Sequence, residues 1–178
     1  MILPPFGLGC MNLSHAYGTP PREEDALALL HTALDVGVPM FDTATLYGGG
    51  SNEELVGRAL RGRRDEVLLA SKGGMALVDG AKVIDGRPDT LRAQVDDSLR
   101  RLGVDHIDLY YLHRWDKTVP IADSVGALAA AVQAGKVGAI GLSEVSVARL
   151  REALAEAPIA AGQNEYSLRI RNPALGMV

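Results

Sequence analysis

VPMFDTATLYGGGSNEELVGRAL, residues 38–60, is the stretch on which the reading of this chain turns. A short apolar run over 38–41 delivers Asp42 at its end. Tyr47 follows five residues later, and then Gly48, Gly49 and Gly50 make a loop that glycine lets fold tightly. Ser51 and Asn52 lead into Glu53 and Glu54, whose charges suit the first turn of a helix. An acid and a phenol therefore leave the C-terminal end of one predicted strand together.

Upstream of this stretch, the residues over 6–11 predict a first strand. Arg22, Glu23, Glu24 and Asp25 open a helix whose apolar side is Ala26, Leu27, Leu29, Leu30, Ala33 and Leu34, closed by Gly37. Downstream, a helix over 53–61 stops at Gly62, and EVLLAS over 66–71 predicts a strand. A glycine-containing loop follows, then a long helix from Asp89 to Leu102 closed by Gly103. IDLYYLH over 107–113 predicts a strand, and Pro120 sits where helix initiation tolerates it, ahead of a helix over 121–134. A strand over 137–143, a helix over 145–155 and a strand over 159–166 complete the series.

Six strands thus alternate with five helices. Strands apolar on both faces and joined by helices form a parallel sheet. Right-handed crossovers leave two architectures, a doubly wound sheet or a (β/α)₈ barrel. The doubly wound fold needs a glycine-rich turn that opens directly onto a helix. Here Gly7-Leu8-Gly9-Cys10-Met11-Asn12 has asparagine where the third glycine belongs, and it runs into a loop with Pro20 and Pro21. Those glycines serve a tight turn. The barrel instead places chemistry at the C-terminal ends of its strands, and polar residues collect there. Asp42 ends the second strand, Lys72 follows the third, His113 ends the fourth, Ser143 ends the fifth, and Gln163 and Asn164 lie in the sixth. The expected fold is α/β, one domain over 1–178, of the (β/α)₈ TIM-barrel type but incomplete, with six parallel strands and five helices.

Composition narrows the function. The chain has 178 residues, 47% of them hydrophobic, which suits a globular domain with a core. Its 18 Lys and Arg against 22 Asp and Glu leave a net charge of −4, so no broad basic face for nucleic acid is expected. Cys10 is the only cysteine and is expected in the core; with no internal disulfide to make, it points to a reducing compartment. No apolar run approaches the ~20 residues that span a bilayer, and the start has no basic segment of the kind that opens a secretory leader. A cytoplasmic protein that binds neither nucleic acid nor membrane is the expectation. No metal site is expected: His31 and Asp35 share a helix face but lack partners. Arg100 and Arg101 beside Asp96 and Asp97 suggest a solvated helix face.

Asp42, Tyr47, Lys72 and His113 in one pocket have a chemical logic. An isolated phenol holds its proton up to about pH 10, and a nearby ammonium such as Lys72 favours the phenolate. Asp42 would hold Lys72 charged and in place, and His113 could donate a hydrogen bond to a substrate carbonyl. Tyr47 would then protonate that carbonyl oxygen as hydride arrives at carbon. The chain has no hydride source of its own, so a nicotinamide is required. Ser143, Gln163 and Asn164 carry the amides and hydroxyl suited to gripping its carboxamide.

FDTATLYGGGSNEELVGRAL, VLLASKGG, SLRRLGVDHIDLYYLH, VGAIGLSEVS and QNEYS, in this order, resemble the aldo-keto reductase family. The resemblance implies a (β/α)₈ barrel and NADPH-dependent reduction of aldehydes and ketones, a small-molecule carbonyl substrate. It places the catalytic tetrad on Asp42, Tyr47, Lys72 and His113. It places nicotinamide-carboxamide contacts on Ser143 and Gln163, and the expected cofactor-binding residues are these two together with Glu144 and Asp42. Many members carry asparagine after that serine, where this chain has Glu144. A complete barrel takes about 250 residues, and the resemblance implies two further βα units and an adenosine-phosphate loop beyond those counted here. An open arc would expose strand edges and apolar inner surface, so truncation, or a homo-oligomer covering those edges, is expected. Two other readings stand beside the reductase: a non-catalytic reductase-like scaffold that senses cofactor or binds a partner, and an inactive fragment.

Overall fold

The computed structural model describes residues 2–14 and 17–171. Its strands are β1 (Leu8–Gly9), β2 (Met40–Asp42), β3 (Leu68–Gly73), β4 (Met75–Val78), β5 (Ala81–Ile84), β6 (Ile107–Leu112), β7 (Val137–Ser143) and β8 (Ile159–Gln163). Its α-helices are α1 (Glu23–Asp35), α2 (Ser51–Ala59), α3 (Pro88–Leu102), α4 (Ile121–Gln133) and α5 (Val147–Glu156). Six strands form one parallel sheet in the order β1-β2-β3-β6-β7-β8, as the alternation of apolar runs and helices predicts. The sheet is the curled half-barrel of an incomplete (β/α)₈ fold. Among the described residues β1 and β8 each pair on one side only, so both ends of the arc present an open edge.

The period of two along each strand sorts side chains to two surfaces. Leu69, Tyr110 and Leu112 join Leu30, Phe41, Leu91 and Leu128 in the large core between sheet and helices. Ala70, Leu109, Tyr111 and Ala161 face the other way and form a small cluster inside the arc. Helix ends follow local chemistry. Pro88 stands at the start of α3, where its missing N–H costs nothing. Gly103, at φ 67°, closes that helix in the left-handed conformation.

Several boundaries differ from the sequence expectation. The first strand contracts to Leu8–Gly9 because the backbone turns at once into a 3₁₀ segment at Met11–Leu13. The third extends to Gly73, so Lys72 lies inside the strand and not after it. The last ends at Gln163, leaving Asn164 just beyond. The loop expected after the third strand is an antiparallel hairpin, β4 with β5. Its turn is Asp79-Gly80, with φ of 50° and 78°. Two positive φ values in succession are what a two-residue hairpin turn requires, and Asp-Gly is a strong signal for one. That signal is present in the sequence.

Candidate functional site

Parallel pairing sets the C-terminal ends of the strands side by side. Asp42 ends β2 and Lys72 lies on β3, where it pairs in register with Tyr111 of β6. His113 follows β6, and its N–H donates to the carbonyl of Gly73 at 2.8 Å, which continues the ladder by one rung. Tyr47 opens the 3₁₀ segment Tyr47–Gly50, in which all three glycines have positive φ. Only glycine adopts such a run without strain, so the loop that carries Tyr47 can double back over the strand ends.

Lys72 is the hub. Its side chain is 1% exposed. The ammonium forms an ion pair with Asp42, donates to the Thr43 carbonyl at 2.9 Å, and donates to the Tyr47 phenol oxygen at 3.2 Å. An ammonium has three donors, and all three are used. Its position is therefore set by three acceptors on the β2 end and the loop that follows. Asp42 is steadied in turn by Gln163, whose amide donates to its second oxygen at 3.0 Å.

His113 stands edge-on to Tyr47, with ring centres 5.7 Å apart and an interplanar angle of 87°. Burial, then the charges of Lys72, Arg114 and Lys82, push its pKa down to about 3. The ring is therefore neutral at ordinary pH, with one nitrogen that donates and one that accepts. Its Nδ1 is buried and has no partner among the described residues. A buried polar atom without a partner is costly, and a ligand in the adjoining cleft is one way to supply it.

That cleft measures about 710 Å³ and is lined by Tyr47, His113, Arg114, Ser143, Gln163 and Asn164, among others. Tyr47 and His113 thus face the cleft, Lys72 and Asp42 lie behind them, linked through the Lys72–Tyr47 hydrogen bond, and the amide and hydroxyl groups of Ser143, Gln163 and Asn164 complete the lining. The Ser143 hydroxyl accepts from Arg114 at 3.0 Å, and the same guanidinium nitrogen donates to the His113 carbonyl at 2.8 Å. Glu144 has φ 55°, in the left-handed region where asparagine is far more at ease than glutamate. Its carboxylate accepts from the Glu165 amide at 2.6 Å, so it braces the end of β8 from the rim of the cleft.

Sequence reasoning missed several contributors. Arg114 directly follows His113 and bridges the His113 carbonyl and the Ser143 hydroxyl, a role its place in the sequence does not signal. Lys82 reaches the cleft only because the β4–β5 hairpin folds over it. Tyr47 lines the cleft, whereas Trp115 donates to the Val119 carbonyl at 3.1 Å and Tyr166 stacks with Arg171. Arg101 is no solvated charge: it is 15% exposed and pairs with Glu53, which is fully buried. Arg100 does lie on the surface, paired with Asp97. Cys10 is wholly buried, and burial raises its thiol pKa to about 12, which keeps it unreactive. Among the described residues no cluster of His, Cys, Asp and Glu is arranged to hold a metal, and no helix is long and apolar enough to cross a membrane.

Comparison with known proteins follows the same lines. Residues 5–176 match the model of the aldo/keto reductase family. The chain is 43% identical to the aldo-keto reductase yakc [NADP(+)] of Schizosaccharomyces pombe, over 99% of its own length and 54% of that protein's. It superposes on the glycerol dehydrogenase AKR11B4 of Gluconobacter oxydans with a TM-score of 0.85 and 35% identity, covering 94% of this chain and 53% of that one. An aldo/keto reductase from Klebsiella pneumoniae, solved in complex with NADP and acetate, gives a TM-score of 0.80 at 28% identity over 96% of this chain and 57% of that one. The chain therefore spans a little over half the length of these relatives.

Proposed function

This chain belongs to the aldo/keto reductase family, and we propose that it carries the catalytic half of an NADPH-dependent reductase of aldehydes and ketones. The observation that carries this reading is the buried Lys72 ammonium, shared between the Asp42 carboxylate and the phenol of Tyr47, which lines the cleft.

The wall of the cleft fits a nicotinamide carboxamide. The Ser143 oxygen accepts from Arg114 and keeps its own hydrogen to donate. Gln163 uses its amide nitrogen on Asp42, which leaves its carbonyl oxygen to accept. Together they match a group with one acceptor and two donors. Glu144 and Asn164 stand beside them on the same wall. When bound, NADPH supplies the hydride. Tyr47 holds the proton that a carbonyl oxygen gains. Lys72, held by Asp42, favours the phenolate that remains once that proton has left. His113, neutral and buried, has one N–H with which to orient the carbonyl without competing as an acid.

The test is NADPH binding by quenching of Trp115 fluorescence, followed by NADPH oxidation with a panel of aldehydes and ketones. Tyr47→Phe is expected to abolish turnover and leave cofactor affinity nearly unchanged. Undiminished turnover in that variant would end the assignment of Tyr47 as the acid.

A further inference from the structure

Glu53 and Arg101 occupy helix positions where the sequence suggests solvated charge, yet both turn inward. Glu53, in the first turn of α2, is fully buried. One of its oxygens accepts from the Ser71 hydroxyl at 2.5 Å, and the other accepts from Arg101 at 2.7 Å. Ser71 is the residue before Lys72 on β3. The Arg101 side chain lies across Gly50, so close that a Cβ there would come within 2.8 Å of its Cδ. Gly50 ends the loop that begins with Tyr47.

Asn52, the neighbouring residue, completes the arrangement and is also fully buried. It accepts from the Thr43 hydroxyl at 2.6 Å and donates to the Cys10 carbonyl at 2.8 Å and to the Ser14 hydroxyl at 2.9 Å. Thr43 directly follows Asp42, and its carbonyl is one of the three acceptors of Lys72. The first turn of α2 is thus fastened on one side to the strand that carries Asp42 and on the other to the strand that carries Lys72. The Tyr47 loop is held between these fastenings, with the Arg101 side chain across its last glycine.

A buried ion pair is weak evidence for stability, because apolar replacements of similar size often leave a protein equally stable. A fixed distance is a better reason for this one. We propose that Glu53 and Arg101 are positioning residues that hold the Tyr47 phenol within reach of the Lys72 ammonium. The catalytic consequence rests on the reductase reading above; the positioning itself does not.

The experiment compares the full chain with the double variant E53Q/R101M, which removes both charges together and leaves neither unpaired. Five quantities are measured: the melting temperature, NADPH affinity by Trp115 quenching, kcat and KM for a carbonyl substrate, and the Tyr47 resonance in ¹³Cζ-tyrosine NMR, assigned with Y47F. The expected result is a melting temperature and NADPH affinity close to wild type, a kcat lower by on the order of 10²-fold, and a displaced Tyr47 resonance. R101K, which keeps the charge but loses the planar fork, is expected to fall between the two. A folded double variant with unchanged kcat and an unmoved Tyr47 resonance would overturn the proposal. If the double variant does not fold, R101K decides: an unmoved resonance there overturns the proposal as well. If the wild-type chain turns over no carbonyl, the reductase reading fails on its own, and the Tyr47 resonance alone decides the positioning.

Discussion

Lys72 and Tyr47 lie 25 residues apart in the chain, yet the ammonium of one, almost wholly buried, donates to the phenol oxygen of the other at 3.2 Å. The ammonium's remaining donors are taken by Asp42 and the Thr43 carbonyl. Lys72 is therefore oriented before any ligand arrives, and so is the phenol it addresses.

Removing that ammonium separates its structural part from its chemical part. Lys72→Met leaves the Asp42 carboxylate, 15% exposed, without its cation, and breaking such a pair costs about 3–5 kcal/mol. The double variant D42N/K72M removes both charges, so most of that stability is expected to return. Activity is not expected to return, and turnover should stay down by roughly 10²–10⁴-fold. Urea unfolding beside steady-state kinetics checks both. Recovery of turnover in the double variant would show that Lys72 acts on the fold alone.

His113 gives the protein a defined weakness toward acid. Its pKa is lowered in the folded state to about 3, by burial first and then by Lys72, Arg114 and Lys82, against about 6.5 in an unfolded chain. Between those values the unfolded chain binds a proton that the folded one does not. Stability is thus fully present above pH 6.5 and falls as the pH drops toward 3, by about 1.4 kcal/mol per pH unit from this group. Denaturant unfolding of wild type and His113→Gln at pH 7.5, 6, 5 and 4 isolates the contribution. The variant should lose less stability across the series, and identical slopes would remove His113 as the cause.

Gly57 packs α2 directly against the backbone at the end of α3. A Cβ at that position would come within 2.7 Å of the Leu102 carbonyl carbon and 2.8 Å of its Cα. Alanine ordinarily strengthens a helix interior by about 1 kcal/mol relative to glycine. Here the two helix backbones must separate, so Gly57→Ala is expected to lower stability by about 1–3 kcal/mol instead. A thermal melt settles the sign.

Much of this was legible in the sequence because it depends on local pattern. Apolar runs of strand length between amphipathic helices imply a parallel sheet, and a parallel sheet gathers the C-terminal ends of its strands on one side. Asp42, Lys72, His113, Ser143 and Gln163 could therefore be assigned to one end of the molecule from their positions just after or within such runs. Tyr47 joined them through a glycine loop whose conformation only glycine tolerates. The Asp79-Gly80 turn was legible too, although the expectation there was a loop.

What tertiary structure alone decided is how those groups pair. Glu53 and Arg101 lie 48 residues apart, and on their own helices each matches ordinary surface charge. Only the packing of α2 against β3 and α3 turns them inward, and that packing sets where the Tyr47 loop ends. Gln163 likewise has the chemistry of a ligand contact, yet it donates to Asp42 across 121 residues of chain. Periodicity specifies which face of an element is apolar, because that follows from residues a few positions apart. Which buried donor meets which acceptor depends on how separate elements stack, and no local pattern records that.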